Sequence, residues 1–340
     1  MKKQNHFVKL LGCVIMFILI FSGCSENFSD EKKSAESETE AFEEGKEEEQ
    51  ESSESENKEN QKSSERENEN QELSESENEN QERSEAAESE EDWSEYFGGL
   101  HGAAVLYAPL NRQFKIYNQE LAAARRSPCS TFKIISSLTA LEHGLLDPDD
   151  SLRQWSGELF WNENWNQDKD FRGAFRDSCV WYFRELTDEI GQERMQEELD
   201  RLSYGNCDSS DWEGQLNTNN NNRALTGFWI ESSLAISPKE QTEVMERIFG
   251  KDSVYSEETK NALKEVMLLE ESQETGFSIY GKTGMGKVQG IVVDAWFTGF
   301  AETPQGNVYF CVYLGRTDGM EVSSAVAREI AVRLVQYEIE

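Results

Sequence analysis

The sequence predicts an α+β fold: one central antiparallel sheet, completed by both ends of the folded region, with a helical lobe inserted between them. Three observations carry this expectation. Strand-like runs stand near the start of the apolar-patterned region and again near its end, and amphipathic helical patterns fill the middle. The 340 residues carry a net charge of −34, unevenly distributed, and only residues 93–340 have enough apolar content to build a core.

Residues 1–24, "MKKQNHFVKLLGCVIMFILIFSGC", join a basic start to an apolar run too short for a comfortable membrane span. That is the pattern of a secretory signal. Its end, "FSGC", is similar to a lipoprotein cleavage site, with Phe21 where a Leu is usual. The likeness implies that Cys24 becomes the lipidated first residue of an exported protein, held on the outer face of the cytoplasmic membrane. Residues 25–92 hold 28 acidic against 7 basic side chains and almost nothing apolar. Such a segment cannot offset the entropy of ordering it. A ten-residue near-repeat ("ENQKSSEREN", "ENQELSESEN", "ENQERSEAAE") offers no regular apolar position, so a self-repelling tether is expected rather than a solenoid. As a random coil it would reach on the order of 50 Å.

In the folded region, "GAAVLYA" and "QFKIYN", joined by "PLNR", read as a β-hairpin. A helix from about Ser130 to His143 follows, stopped by Gly144 and with His143 capping its dipole. "FRGAFRDSCVWYFREL" and "QERMQEELDRL" read as two helices, and Tyr204–Ser233 as a long loop; loops of that length in compact domains are usually functional. "PKEQTEVMERIF" and "EETKNALKEVMLLE" give two more helices. Three strands, "FSIYGKTG", "AWFTGFAE" and "NVYFCVYLG", and a final helix, "SSAVAREIAVRLVQYEI", close the fold.

Composition narrows the chemistry. With 39 acidic and 23 basic residues, the folded region is a poor partner for nucleic acid. Cys129, Cys179, Cys207 and Cys311 match no metal-binding spacing, and a chain this long needs no disulfide staple. Outside the signal only His101 and His143 remain, and neither stands in a motif that suits a Ser-His-Asp triad. Lysine is the base left over. Ser130 and Lys133 are three apart on a helical face, within reach of one another. Apolar neighbours Ile134, Ile135, Leu138 and Leu141 favour a neutral amine, the form able to accept a proton. The spacing alone proves little, since Ser55 and Lys58 repeat it in the tether.

What gives the pair meaning is its ordered company: "PCSTFK", then "SCV" (Ser178, Cys179, Val180), "YGN" (Tyr204, Gly205, Asn206), "FWIESSLAIS", "GKTG" (Gly281–Gly284) and "AWFTGF". With "WNQDKDFRGAFRDSCVWYF" added, nearly all of residues 95–340 resembles the class D β-lactamases, the oxacillinase family of penicillin-interacting serine enzymes. The resemblance implies a serine β-lactamase/penicillin-binding transpeptidase-like fold and an enzyme that opens β-lactams and so confers resistance. It makes Ser130 the nucleophile and Lys133 a lysine carboxylated by carbon dioxide (N6-carboxylysine), serving as general base with no other cofactor. Val180 becomes an apolar wall and Trp229 an N–H donor to that carbamate. Ser178 relays a proton to the departing nitrogen, helped by Lys282. Thr283 and Gly284 line the substrate strand, and the backbone N–H groups of Ser130 and Met285 form the oxyanion hole.

Two positions depart from the pattern. Many members bind the substrate carboxylate with an arginine near the last strand; Arg316 and Arg328 are close without a clean match. "EGQLN" (Glu213–Asn217) imitates the glutamate motif of class A enzymes, but "SCV" stands where those have "SDN", so Glu213 is expected to be a loop carboxylate. Related β-lactam sensors and transpeptidases remain the alternatives, because neither releases its acyl group efficiently. Such sensors tend to carry a polar residue where Val180 stands and a multi-helix membrane unit, whereas one amino-terminal apolar segment is present here. Transpeptidases more often have further domains, and a degenerate scaffold would not need intact Ser130, Lys133, Ser178 and Lys282.

Overall fold

The computed structural model describes residues 86–339, apart from 219, 271 and 273–275. The signal, Cys24 and the tether as far as residue 85 lie outside the described residues.

Six strands form one sheet: β1 (Ala87–Glu90), β2 (Gly102–Ala108), β3 (Gln113–Tyr117), β4 (Ser278–Val288), β5 (Ile291–Thr303) and β6 (Gly306–Gly315), in the spatial order β1-β3-β2-β6-β5-β4. The early hairpin and the three late strands meet where β2 pairs antiparallel with β6, Val105 opposite Cys311. Both ends of the domain thus complete one sheet, as the sequence predicts. One correction concerns the edge. Residues 87–90, assigned above to the tether, pair in parallel with β3. "AESE" has no apolar alternation to announce a strand. An edge strand needs backbone bonds on one side only, here from Ala87 N to Arg112 O and Glu91 N to Ile116 O, with Glu88 paired to Lys239.

Period-two alternation along β2 sends Ala104 and Leu106 to one face of the sheet and Ala103 and Val105 to the other. The first face packs under α1 (Ser94–Phe97) and the last helix, α9 (Ser324–Ile339), with Phe97, Ile330 and Leu334 in one core. The second is covered by α2 (Gln119–Ala123) and α7 (Pro238–Phe249). Beyond it stands the helical lobe: α3 (Lys133–Glu142), α4 (Phe171–Arg176), α5 (Val180–Ile190), α6 (Gln192–Arg201) and α8 (Glu257–Met267). Its core runs through Phe132, Leu138, Phe171, Phe183 and Leu263.

Two predicted helices are refined. The one expected from Ser130 opens as a 3-10 turn, Cys129–Phe132, before becoming α-helical at Lys133. The segment read as one helix from Phe171 to Leu186 breaks at Asp177–Cys179. There Ser178 adopts φ +54°, and the Asp177 carbonyl accepts a hydrogen bond from the Trp165 indole at 3.0 Å. The apolar spacing of Phe171, Phe175 and Phe183 runs straight through the break, which is why periodicity hides it.

Candidate active site

Ser130, Ser178, Val180, Thr283, Gly284 and Met285 line one cavity of about 280 Å³ between the helical lobe and edge strand β4. Elements far apart in sequence meet there. The 3-10 turn presents Ser130, the break between α4 and α5 presents Ser178, and β4 supplies the opposite wall. Gly284 makes the approach possible: a Cβ at this position would lie 2.9 Å from the Pro128 carbonyl, too close for the strand to meet the turn that carries Ser130.

Lys133 Nζ lies 2.7 Å from Ser130 Oγ. The lysine is 1 % exposed, with its amine 5.4 Å from the Phe183 ring centroid. Burial lowers its pKa from 10.5 to about 8, because an ammonium loses hydration that these neighbours cannot replace. A minor neutral fraction, far larger than for an ordinary lysine, is therefore present near neutral pH, and in that form the amine can take the serine proton. Lys282, on β4 and also buried, sits 3.1 Å from Ser178 Oγ and 3.2 Å from Thr283 O. Its pKa falls well below the ordinary value, chiefly through burial and further through the nearby charge of Lys133. Each of the two serines in the cavity wall is thus paired with a buried lysine.

Trp229 is fully buried beneath the nucleophile turn. Its ring stacks on Phe132 with centroids 5.6 Å apart, and Gly227 leaves it room, since a Cβ there would be 2.2 Å from the indole. The Trp229 carbonyl accepts from Cys129 N and from Ser127 Oγ, both at 3.0 Å. Its Nε1–H is buried and has no hydrogen-bond partner in the described structure. A donor left in that state costs free energy unless it has a use. A buried amine with a lowered pKa, the apolar side chain of Val180 in the cavity wall and an unspent indole N–H together fit a carbamate on Lys133. Lys133 would hold the group and Trp229 would donate to it.

Among the described residues, three of the eight non-glycine positions with positive φ are Cys129, Ser178 and Glu231, all of which line this cavity. Backbone strain of this kind, roughly 1–3 kcal/mol each, persists only where the surroundings enforce it. Tyr204 packs edge-on against Phe132 at 5.6 Å, and Asn206 pins the two ends of the long loop through Ser233 O and Ala235. The YGN motif therefore braces the site from behind.

Other predicted groups stay away from the nucleophile. Glu213 is bound to Arg223, with Nε to Oε2 at 2.7 Å, which lowers its pKa; it is the expected loop carboxylate. Arg316 contacts Glu321 at 4.0 Å, and Arg328 lines a separate cavity behind Lys282. Neither arginine lines the nucleophile cavity. The cation that does is Lys287, its Nζ 4.0 Å from the centroid of exposed Trp161. Lys287 follows Thr283 and Met285 along one face of β4, so alternation could have found it; no local pattern points to Trp161. Cys129, Cys179, Cys207 and Cys311 are free thiols, and burial pushes Cys129 up to about 12.

Fold and site together define a serine penicillin-interacting domain. Comparison with known proteins agrees. Residues 78–336 match the family model "Penicillin binding protein transpeptidase domain", and the chain belongs to this family. Its relatives include both class D β-lactamases and receptors. It is 32 % identical over 215 residues to "Probable beta-lactamase YbxI" of Bacillus subtilis, covering 63 % of this chain and 74 % of that protein. It is 31 % identical over 247 residues to "Regulatory protein BlaR1" of Bacillus licheniformis, covering 72 % of this chain and 38 % of that protein. The chain therefore spans well under half of BlaR1. Among solved structures, the C-terminal domain of the Bacillus licheniformis BlaR penicillin-receptor superposes with a TM-score of 0.64 at 30 % identity, covering 75 % of this chain and 97 % of that one. A class D β-lactamase from Bacillus subtilis gives 0.63 at 30 %, covering 73 % and 96 %.

Proposed function

We propose that this protein hydrolyses β-lactam antibiotics through an acyl-enzyme on Ser130, with Lys133 in its carboxylated form as general base. The observation that carries the reading is the buried, partly neutral Lys133 amine 2.7 Å from Ser130 Oγ, in the same core as an indole N–H without a partner. Carbon dioxide bound to the Lys133 amine would supply a carboxylate-like base that is better placed than the amine. The Ser130 proton leaves to the base as Oγ attacks the lactam carbonyl. Backbone N–H groups of Ser130 and Met285 receive the developing oxyanion. Ser178, oriented by Lys282, hands a proton to the lactam nitrogen as the ring C–N bond breaks. The base gives the proton taken from Ser130 to Ser178, and water then attacks the ester, its proton passing to the freed base and from there to Ser130 Oγ as the ester C–O bond breaks.

The receptor likeness favours a second reading, a sensor that is acylated and stays acylated. The two differ at one step, ester hydrolysis. Benzylpenicillin mixed with purified protein separates them: sustained turnover that rises with added bicarbonate supports the hydrolase. A single stoichiometric burst, with a persistent adduct on Ser130 by mass spectrometry, supports the sensor and overturns the hydrolase reading. We further propose attachment to the outer face of the cytoplasmic membrane through lipid on Cys24. Metabolic labelling with a radioactive fatty acid should mark the wild type and not Cys24→Ala; equal labelling of both would defeat that part.

A further inference from the structure

Glu231 has no part in the chemistry above, yet its placement is unusual. It stands two residues after Trp229, half-buried, at φ +50°. Its backbone N–H donates to Ser127 Oγ at 2.8 Å, and the same hydroxyl donates to the Trp229 carbonyl at 3.0 Å. Its side-chain Oε1 accepts the backbone N–H of Lys287, at the register shift of β4 between Gly286 and Lys287. Its Oε2 is buried without a partner, and burial raises its pKa, with Asp294 adding to the rise. A carboxyl group kept half-satisfied, in a backbone conformation unfavourable to glutamate, is expensive to retain and calls for a role.

The contacts define a strut. Ser127 ties residues 229–231 to the nucleophile turn, and Glu231 ties the same residues to the strand carrying Lys282, Thr283 and Met285. We infer that Glu231 is a positioning residue: by joining the Trp229 segment to β4, it fixes the indole N–H where the carbamate on Lys133 needs it. This inference rests on the hydrolase reading and adds a residue to it. Without the strut the indole is free to drift, the carbamate loses a donor, and carbon dioxide leaves the lysine more readily. A group that merely stabilised the fold would alter melting temperature and leave the bicarbonate requirement unchanged.

The full chain, with ¹³C-labelled bicarbonate, provides the test. Carbamate is read by NMR, and the bicarbonate concentration giving half-maximal benzylpenicillin turnover is measured for wild type, Glu231→Ala and Glu231→Gln. Glu231→Ala should raise that concentration on the order of tenfold, the size typical of groups that orient a reactive centre. Glu231→Gln keeps an acceptor for the Lys287 N–H and should stay within about twofold of wild type. A wild-type carbamate signal left untouched by Glu231→Ala overturns the strut alone, as does a glutamine variant as impaired as the alanine one. Wild-type protein silent in both readouts overturns the hydrolase reading, and the strut's role falls with it. Should Glu231→Ala fail to fold, Glu231→Asp, whose shorter side chain pulls the acceptor away from the Lys287 N–H, takes its place; an increased bicarbonate requirement supports the strut, and an unchanged one overturns it.

Discussion

The two serine–lysine pairs whose serines line the cavity have the same chemistry and different origins. Ser130 and Lys133 are joined within a single helical turn, 2.7 Å apart. Ser178 and Lys282 are 104 residues apart in sequence and meet at 3.1 Å only because the break between α4 and α5 faces β4. Both amines are driven below their ordinary pKa by burial, but they cannot both be charged without repelling each other at close range. On the hydrolase reading the two divide the labour, Lys133 acting as or carrying the base and Lys282 donating to Ser178. The local pair depends on its own turn, and the long-range pair depends on the whole fold.

The largest effect should come from breaking the local pair. Lys133→Met removes the base and should lower turnover by roughly 10²–10⁴-fold, measured with benzylpenicillin. It should also stabilise the protein at neutral pH. Lys133 has a folded pKa near 8 against an ordinary 10.5, so below pH 8 the folded state bears the cost of a buried ammonium. Between about 8 and 10.5 the unfolded chain binds more protons than the folded one, and stability rises with pH. The full difference corresponds to about 3 kcal/mol. Without bicarbonate, wild type should therefore gain denaturant resistance from pH 7.5 to 9.5 relative to Lys133→Met, which lacks this rise. Parallel curves for the two proteins would show a solvated lysine.

Breaking the long-range pair should cost less. Lys282→Ala leaves Ser130 and Lys133 intact and removes the N–H donor to Ser178, so acylation should slow by about 10²-fold, the usual size for one electrostatic contact at a transition state. Stopped-flow acylation with a chromogenic cephalosporin measures it. An acylation rate equal to wild type would mean that Ser178 needs no lysine. Val180→Asn sharpens the comparison from the other side. A polar amide beside Lys133 favours the ammonium, and turnover at ambient carbon dioxide should fall about tenfold, with partial recovery in added bicarbonate. Steady-state assays with and without bicarbonate would reveal a variant that ignores it.

The same contrast explains what the sequence discloses. Ser130 and Lys133 are legible because a helix makes residues three apart neighbours, whatever the rest of the chain does. Lys282 and Ser178 become legible only as motifs in the order shared with a known family. The break at Asp177–Cys179 is invisible because Phe171, Phe175 and Phe183 keep their helical spacing across it. Strand β1 is hidden because it pairs through backbone groups that "AESE" does not advertise. Glu231 and Trp161 act through contacts made by loops, whose side-chain directions follow from tertiary packing rather than from any period. Lys287 lies between these cases, since alternation from Thr283 places it on the cavity face once the strand is known.

The smallest effect should belong to Glu213, and its smallness is informative. The E-x-x-x-N pattern offers a rival base, and a rival base would make Lys133 a spectator. The geometry gives this carboxylate other work: it accepts from Arg223 at 2.7 Å and lies 3.7 Å from Arg184, and these cations hold its pKa below the ordinary value. A carboxylate stabilised as an anion in this way is a weaker proton acceptor, and Glu213 does not line the nucleophile cavity. Glu213→Ala should leave benzylpenicillin turnover within about twofold of wild type, because exposed ion pairs contribute only ~0–1 kcal/mol. Abolished deacylation in that variant, with acylation intact, would move the general base from the helix that carries Lys133 to the loop that carries Glu213.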